Sequence, residues 1–401
     1  MTVDLPRTLA SHPRIAWPGY GDGSMTVAQP AAELADAQDA PVLPDYGGAW
    51  VGGIVPALLG GAVVDWLPEP VAGARAVVLL VLDGLGWETV RDRANLLPVL
   101  SGMAGRRITT VVPSTTAAAL PSIVCGVEPS VHGIVGYRMR VAGRALNVLR
   151  WQANAKDPLP EPTEVQPVPP FLGMRVPVVS KTEFRNTGFT LAHLRDTELI
   201  GWRTVSALLE LVRLTVDQGA PFVYAYYDGI DKVAHEYGLT HAVYQTELVL
   251  TDRLVDDLLV RLPGDVALLV TADHGQVDVG PKRAVPLDEV ARMVAAYSGE
   301  GRFRGLHARS GAVAELESAC QALYGDRAWV FSRDRLFDEG WLGAGASLSV
   351  RGRVGDVLLA AREPVVFTDP GQLKETKMIS QHGSMTAAEV YVPLLAARGR
   401  A

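Results

Sequence analysis

The chain alternates between short runs that are apolar at every position and longer stretches whose apolar residues recur every three or four. Three of the short runs share one form. AVVLLVLDG (76–84), PFVYAYYDGID (221–231) and DVALLVTADHG (265–275) are rich in β-branched or aromatic residues, and each stops at an acidic residue followed within two positions by glycine. Runs without polar alternation predict strands buried on both faces, as in a parallel sheet. WRTVSALLELVRLTVDQ (202–218) and AVYQTELVLTDRLVDDLLVRL (242–262) lie between them and carry the helical period. This βαβ alternation predicts a three-layer α/β sandwich, a mostly parallel central sheet with helices on both faces. Sites in such sheets form beyond the carboxyl ends of the strands, where all three acidic turns are expected to fall.

The flanking regions read differently. Residues 1–75 are rich in Pro, Gly and Ala and include YGGAWVGGIVPALLGG, the pattern of loops and short helices that cover a core. The core is expected over 76–279. From 280 to 370, RFRGLHA, the amphipathic GAVAELESACQALYG, AWVFSR and a Gly-rich stretch predict a small α+β insertion. Residues 371–401, with ISQHGSM, return to the core.

Composition narrows what such a protein handles. A formal net charge of -7 over 401 residues leaves no extended basic surface for a nucleic acid polymer, so a small molecule is the expected partner. The N-terminus has no cationic segment followed by an apolar run, and nothing reaches the roughly 20 apolar residues of a bilayer span, so a cytoplasmic protein without membrane contact is expected. The two cysteines, Cys125 and Cys320, form no CxxC motif. A metal would have to be held by His, Asp and Glu.

Such residues gather at the predicted strand ends. Asp231 and His235, in DKVAH, are four apart, so on a helix their Cβ atoms would lie about 5–6 Å apart on one face. Asp273 and His274 are adjacent after a buried strand and reach one ion only if the chain turns, which Gly275 permits. Asp83 ends the first run, and His382 lies in SQHGSM. Singly, each has an ordinary reading: a cap, a tight turn, a loop histidine. Together they are three carboxylates and three imidazoles, a donor set suited to Zn²⁺, with Mn²⁺ next and Mg²⁺ poorer. Six ligands exceed the need of one catalytic zinc and suit two ions, the standard device for in-line displacement at phosphorus. Paired ions also ionise a hydroxyl nucleophile. PSTTAAALPS (113–122) offers Ser114, Thr115 and Thr116 at a predicted helix start, where amides and dipole favour a phosphate. The pattern leaves the three hydroxyls equivalent, and an N-cap is the ordinary role for two of them.

The ordered set Asp83, PSTTAAALPSIVCGVEPSVHGIVGY, DGIDKVAHEYG, TADHG and QHGSM resembles the alkaline phosphatase superfamily, most closely its nucleotide pyrophosphatase/phosphodiesterase branch and bacterial relatives, over about residues 76–390. The resemblance implies an alkaline phosphatase-like core and a metal-dependent phosphoric ester hydrolase. It implies Thr116 as the nucleophile, ten residues before Gly126 and sixteen before His132, forming a phospho-threonine intermediate. It assigns Asp231, His235 and His382 to one zinc, and Asp83, Asp273, His274 and the Thr116 oxygen to the other. The chain departs from the branch at Ala117, where an aromatic residue stacks a nucleobase, and at Ala119, where an Asn donates to a phosphate oxygen. Lys181 is the candidate replacement donor, with Arg185 close behind. His132 is expected to order a loop and Cys125 to be packed. On the same centre, a phosphomonoesterase, a phosphonate hydrolase or a phosphosugar mutase are the alternatives, beside a non-catalytic phosphate-binding protein. The absence of Cys-x-Pro-x-Arg and Ser-x-Pro-x-Arg argues against a sulfatase.

Overall fold

Seven segments meet in one sheet. In the computed structural model, which describes residues 40–153, 159–371 and 376–401, the core strands in chain order are β1 (Ala76–Leu82), β2 (Ala104–Thr109), β3 (Pro177–Lys181), β4 (Glu198–Trp202), β5 (Phe222–Tyr227) and β6 (Val266–Thr271). Most of the expected N-terminal covering segment, residues 1–39, lies outside the described residues. The insertion contributes β7 (Val294–Glu300), β8 (Phe303–Ala308), β9 (Ala328–Ser332) and β10 (Val357–Ala361), and the chain ends in β11 (Tyr391–Arg398).

The large sheet has the order β2-β11-β6-β1-β5-β3-β4. β1, its middle strand, pairs in parallel with β5 and β6, and the register sets Leu82 beside Tyr227 and Val81 beside Thr271. Three strand ends therefore finish level, which places Asp83, Asp228 and Asp273 side by side. β11 is the exception in direction, antiparallel to both β6 and β2. β6 is buried at every position and β1 at all but Val77, which explains why neither sequence alternates.

Helices flank the sheet, and each carries the apolar stripe its sequence shows. α1 (Thr116–Cys125) is buried along its whole length. α2 (Val205–Asp217) buries Leu208, Leu209, Val212 and Val216, one face of a 3.6-residue period, and Thr204 caps it by accepting the Ala207 N–H. α3 (Gly229–Tyr237) starts at the end of β5, and α4 (Ala242–Arg261) packs against α3 and α2. The insertion forms an antiparallel sheet of order β7-β8-β10-β9 covered by α5 (Val313–Tyr324), with its own core of Leu306, Leu316, Cys320, Leu359 and Phe367. Cys125 and Cys320 are both buried free thiols. No described helix is long and apolar enough to cross a membrane.

Candidate active site

The level strand ends and the first turns of α1 and α3 converge on one cleft. Thr116 is the first residue of α1, and its Oγ1 lies 3.0 Å from His274 Nε2. The three hydroxyls that look equivalent in the sequence separate here. Ser114 Oγ donates to the Ser384 carbonyl at 2.6 Å and Thr115 Oγ1 to Glu300 Oε2 at 3.0 Å. Thr115 stands at the N-cap position but makes no side-chain cap bond, so the expected capping role is not filled by either. Of the three hydroxyls, that of Thr116 is the one that contacts a histidine of the cluster.

Asp231 and His235 lie on α3, Asp231 inside the first turn, while Asp228 holds the cap position. The ligand atoms of Asp231, His235 and His382 lie within 4.8 Å of one another, as do those of Asp83, Asp231 and His274. Asp231 belongs to both groups. Asp273 joins the second through His274 Nε2, 3.5 Å from its Oδ2.

The hydrogen bonds around the imidazoles fix their tautomers. His235 Nδ1 bonds the Ser380 carbonyl at 2.7 Å, His274 Nδ1 the Gly275 carbonyl at 3.0 Å, and His382 Nδ1 the Ser114 carbonyl at 2.9 Å. A carbonyl only accepts, so each Nδ1 carries the proton and each Nε2 presents a lone pair to the cluster. Burial, and then the neighbouring His274 and His235, hold the His382 ring well below the ordinary histidine value, which keeps it neutral.

The carboxylates are arranged as a cation would require. Asp83 Oδ2 accepts the Tyr226 hydroxyl, whereas its Oδ1 is buried with no hydrogen-bond donor among the described residues. Asp273 Oδ1 accepts the Gly84 and His274 N–H groups, and its Oδ2 is likewise buried without a donor. Burial, reinforced by the charges of Asp273 and Asp231, pushes the Asp83 carboxyl well above the usual carboxylate range, and burial raises Asp273 too. Bare, desolvated carboxylate oxygens this close together are unfavourable unless a cation neutralises them. With three imidazole lone pairs beside them, the residues present fit divalent metal ions.

Two cavities meet at Thr116, sharing Thr116, Leu149 and Asp231 in their walls. The larger, about 260 Å³, is lined mainly by Leu120, Phe184, Phe189, Leu194, Tyr224 and Tyr226. The smaller, about 230 Å³, lies beside His235 and His382 and is closed by Tyr137, Glu300 and Gln381.

The expected oxyanion lysine is a correction. Lys181 lines neither cavity; its ammonium bonds Asp228 Oδ1 at 2.6 Å and lies 5.4 Å over the Trp202 ring. It ends β3, and Asp228 directly follows the neighbouring β5, so pairing wins over reaching for the cleft. Lys232, held by the other Asp228 oxygen at 2.7 Å, is the lysine that lines the larger cavity. Arg185 is turned away, to the Leu199 carbonyl. His132 is buried and ties the loop after α1 to the helix, with Nε2 2.9 Å from Ser122 Oγ and Nδ1 accepting the Ile134 N–H. Four residues went unread in the sequence: Tyr226, Gln276, which donates to Asp231 Oδ1 at 2.9 Å, Lys232 and Glu300. Gln276 stands two positions after His274, which was a usable signal; Glu300 ends an insertion strand and carried none.

Comparison with known proteins bears on the family and the fold. Residues 77–385 match the family described as type I phosphodiesterase / nucleotide pyrophosphatase. No protein of curated function matches the chain by sequence. Among solved structures, human ectonucleotide pyrophosphatase/phosphodiesterase 5 superposes with a TM-score of 0.62 at 14% identity, covering 81% of this chain and 88% of that one. Phosphonoacetate hydrolase from Sinorhizobium meliloti 1021, in complex with phosphonoacetate, gives 0.55 at 19% identity over 82% and 91%. A family match over most of the chain, together with an α/β core that shares this fold, leads to one conclusion: the chain belongs to the type I phosphodiesterase / nucleotide pyrophosphatase family, hydrolases of phosphate esters.

Proposed function

We propose that this protein is a phosphodiesterase with Thr116 as nucleophile, assisted by two divalent cations held by Asp83, Asp231, His235, Asp273, His274 and His382. The observation that carries the reading is the position of Thr116 Oγ1, at the seam of two cavities and 3.0 Å from His274 Nε2. A diester has two substituents, and Thr116 borders two cavities. Neutral imidazoles beside carboxylates favour zinc, with manganese next. Such ions, when bound, lower the pKa of a coordinated hydroxyl or water and offset charge on the phosphoryl oxygens.

The chain's own groups orient the reaction. Thr116 Oγ forms a bond to phosphorus as the bond to the leaving oxygen breaks on the opposite side; water then hydrolyses the phospho-threonine. The first backbone N–H groups of a helix have no partner inside it, so the amides of Thr116 and Ala117 are the donors that stand in for the side-chain amide missing at Ala119. Gln276 holds Asp231, and Tyr226 holds Asp83, in fixed orientations. The apolar wall of the larger cavity excludes water from one flank of the phosphoryl group.

The test is turnover of bis(p-nitrophenyl) phosphate and p-nitrophenyl phosphate by zinc- and manganese-loaded protein, with metal content measured in parallel. The diester should be the faster substrate, and about two ions per chain are expected, fewer in Asp273→Asn or His382→Ala. Thr116→Ala should retain fold and metal while losing at least about a thousandfold in kcat, a far larger loss than in Thr115→Ala. Faster monoester turnover would favour a phosphomonoesterase. No turnover of either ester by metal-replete protein would point to a phosphonate hydrolase, a mutase or a binding protein.

A further inference from the structure

We propose that His193 sets specificity in the larger cavity, its Nε2 accepting a hydrogen bond from one substituent of the ester, a neutral ring that carries a hydroxyl or amino donor. The inference rests on the phosphodiesterase reading above, in which one substituent occupies this cavity. Leucine and aromatic side chains make up most of the wall, so a polar atom left unmatched there carries weight.

His193 closes the short helix Gly188–His193, lines the cavity and is 3% exposed. Its Nδ1 bonds the Phe189 carbonyl at 2.6 Å, and its ring lies against that of Phe189, with centroids 4.2 Å apart at 31°. A carbonyl only accepts, so Nδ1 carries the proton and Nε2 keeps its lone pair. Burial holds the pKa of the ring down to about 4, so the ring stays neutral near pH 7. Among the described residues, nothing donates to Nε2. Two hydroxyls of the same wall are in a like condition. The β3–β5 register, Val178 beside Tyr224 and Val179 beside Ala225, puts Ser180 on the same sheet face as Tyr224 and Tyr226. The Tyr224 hydroxyl is buried without a partner, and the buried Ser180 side chain makes no hydrogen bond among the described residues. Buried polar atoms in this state cost free energy unless a ligand meets them, and a site built on them rejects the analogue that lacks the matching group. Nε2 can only accept, so the group it selects is a donor.

Arylphosphonates read this without turnover, since they have no ester bond to break. In calorimetry on zinc-loaded wild type, meta- or para-hydroxyphenylphosphonate should bind about tenfold more tightly than phenylphosphonate, and the methoxy counterparts, which cannot donate, should show no such gain. In His193→Phe, which keeps a ring against Phe189, the hydroxyl should be worth less than about twofold, while phenylphosphonate binds within about twofold of wild type. Adenosine 5′-phosphate and purine riboside 5′-phosphate, compared in the same two proteins, tell whether a base amino group serves as the donor. The proposal is overturned if neither a hydroxyl nor an amino group raises affinity in wild type, or if the gain survives His193→Phe. Should that variant not fold, the wild-type comparison decides alone. Failure of the underlying reading shows elsewhere, as Thr116→Ala that still hydrolyses bis(p-nitrophenyl) phosphate.

Discussion

His132 shows how a single buried side chain ties stability to pH. Its Nδ1 accepts the Ile134 N–H and its Nε2 meets Ser122 Oγ, so the folded protein has no place for a second ring proton. Burial, reinforced by the Arg353 guanidinium, holds its pKa down to about 3. The unfolded chain returns it to about 6.5, so between these values the unfolded state binds more protons and stability must fall as pH falls. With chelator present in every sample, unfolding free energy measured in denaturant should drop from pH 6 to pH 4 more steeply in wild type than in His132→Gln, by about 1.4 kcal/mol per pH unit. Equal slopes would mean that His132 is protonated in the fold. The same residue scale marks how far the sequence reached into the site. All seven residues expected around the metal ions come together, because strand-end Asp and His residues are conspicuous against apolar runs. The partners that orient them were hidden, since Ser114, Gly275 and Ser380 act through backbone carbonyls, which any residue would supply.

At the scale of elements, the strands flanking the site were legible because burial on both faces erases alternation, and α2 and α4 because their stripes are regular. The turn after β6 was legible for the wrong reason. Gly275 was expected to permit a special backbone turn, yet its φ is not positive. Its need is space: an added Cβ would lie 1.9 Å from the Ala388 carbonyl oxygen and 3.0 Å from the Gly86 α-carbon. The turn carrying Asp273 and His274 is thus pressed against the segment leading into β11, and the Gly275 N–H donates to the Glu389 carbonyl. Gly275→Ala should therefore destabilise the protein by about 1–3 kcal/mol, as overpacking does, and weaken metal retention by shifting His274. Gly264→Ala is the control, since the nearest atom to its Cβ is 3.8 Å away, and it should stay within about 0.5 kcal/mol of wild type. Denaturant melts and zinc titrations of the two variants separate a local steric requirement from a general intolerance of added methyl groups.

For the molecule as a whole, the question is what keeps the insertion in register with the core, since Glu300 of the insertion and His382 line one cavity. The answer is a buried ion pair. Arg302, in the turn after β7, and Glu389, just before β11, are both fully buried, joined by Nε–Oε1 at 2.6 Å and Nη2–Oε2 at 2.8 Å. Arg302 Nη1 also donates to the Glu363 and Val365 carbonyls, and Glu389 accepts from the Ser384 N–H and the Thr386 hydroxyl. Ser384 lies two residues from His382, so the clasp binds the insertion, the histidine loop and the last strand at once. No sequence pattern announced it: 87 positions separate the partners, and a lone Arg or Glu in a polar stretch reads as solvated surface. A fully paired charge network of this kind adds less to net stability than its bonds imply, but removing one partner strands the other in a low-dielectric interior. Arg302→Leu should accordingly cost about 3–5 kcal/mol, and adding Glu389→Gln to it should restore part of that loss, because the abandoned charge is gone. The pair of variants also reports on the site. If the clasp sets the register, Arg302→Leu/Glu389→Gln should remain folded while zinc binding weakens. A double variant with wild-type metal affinity would show that the insertion is held in place by its other contacts with the core.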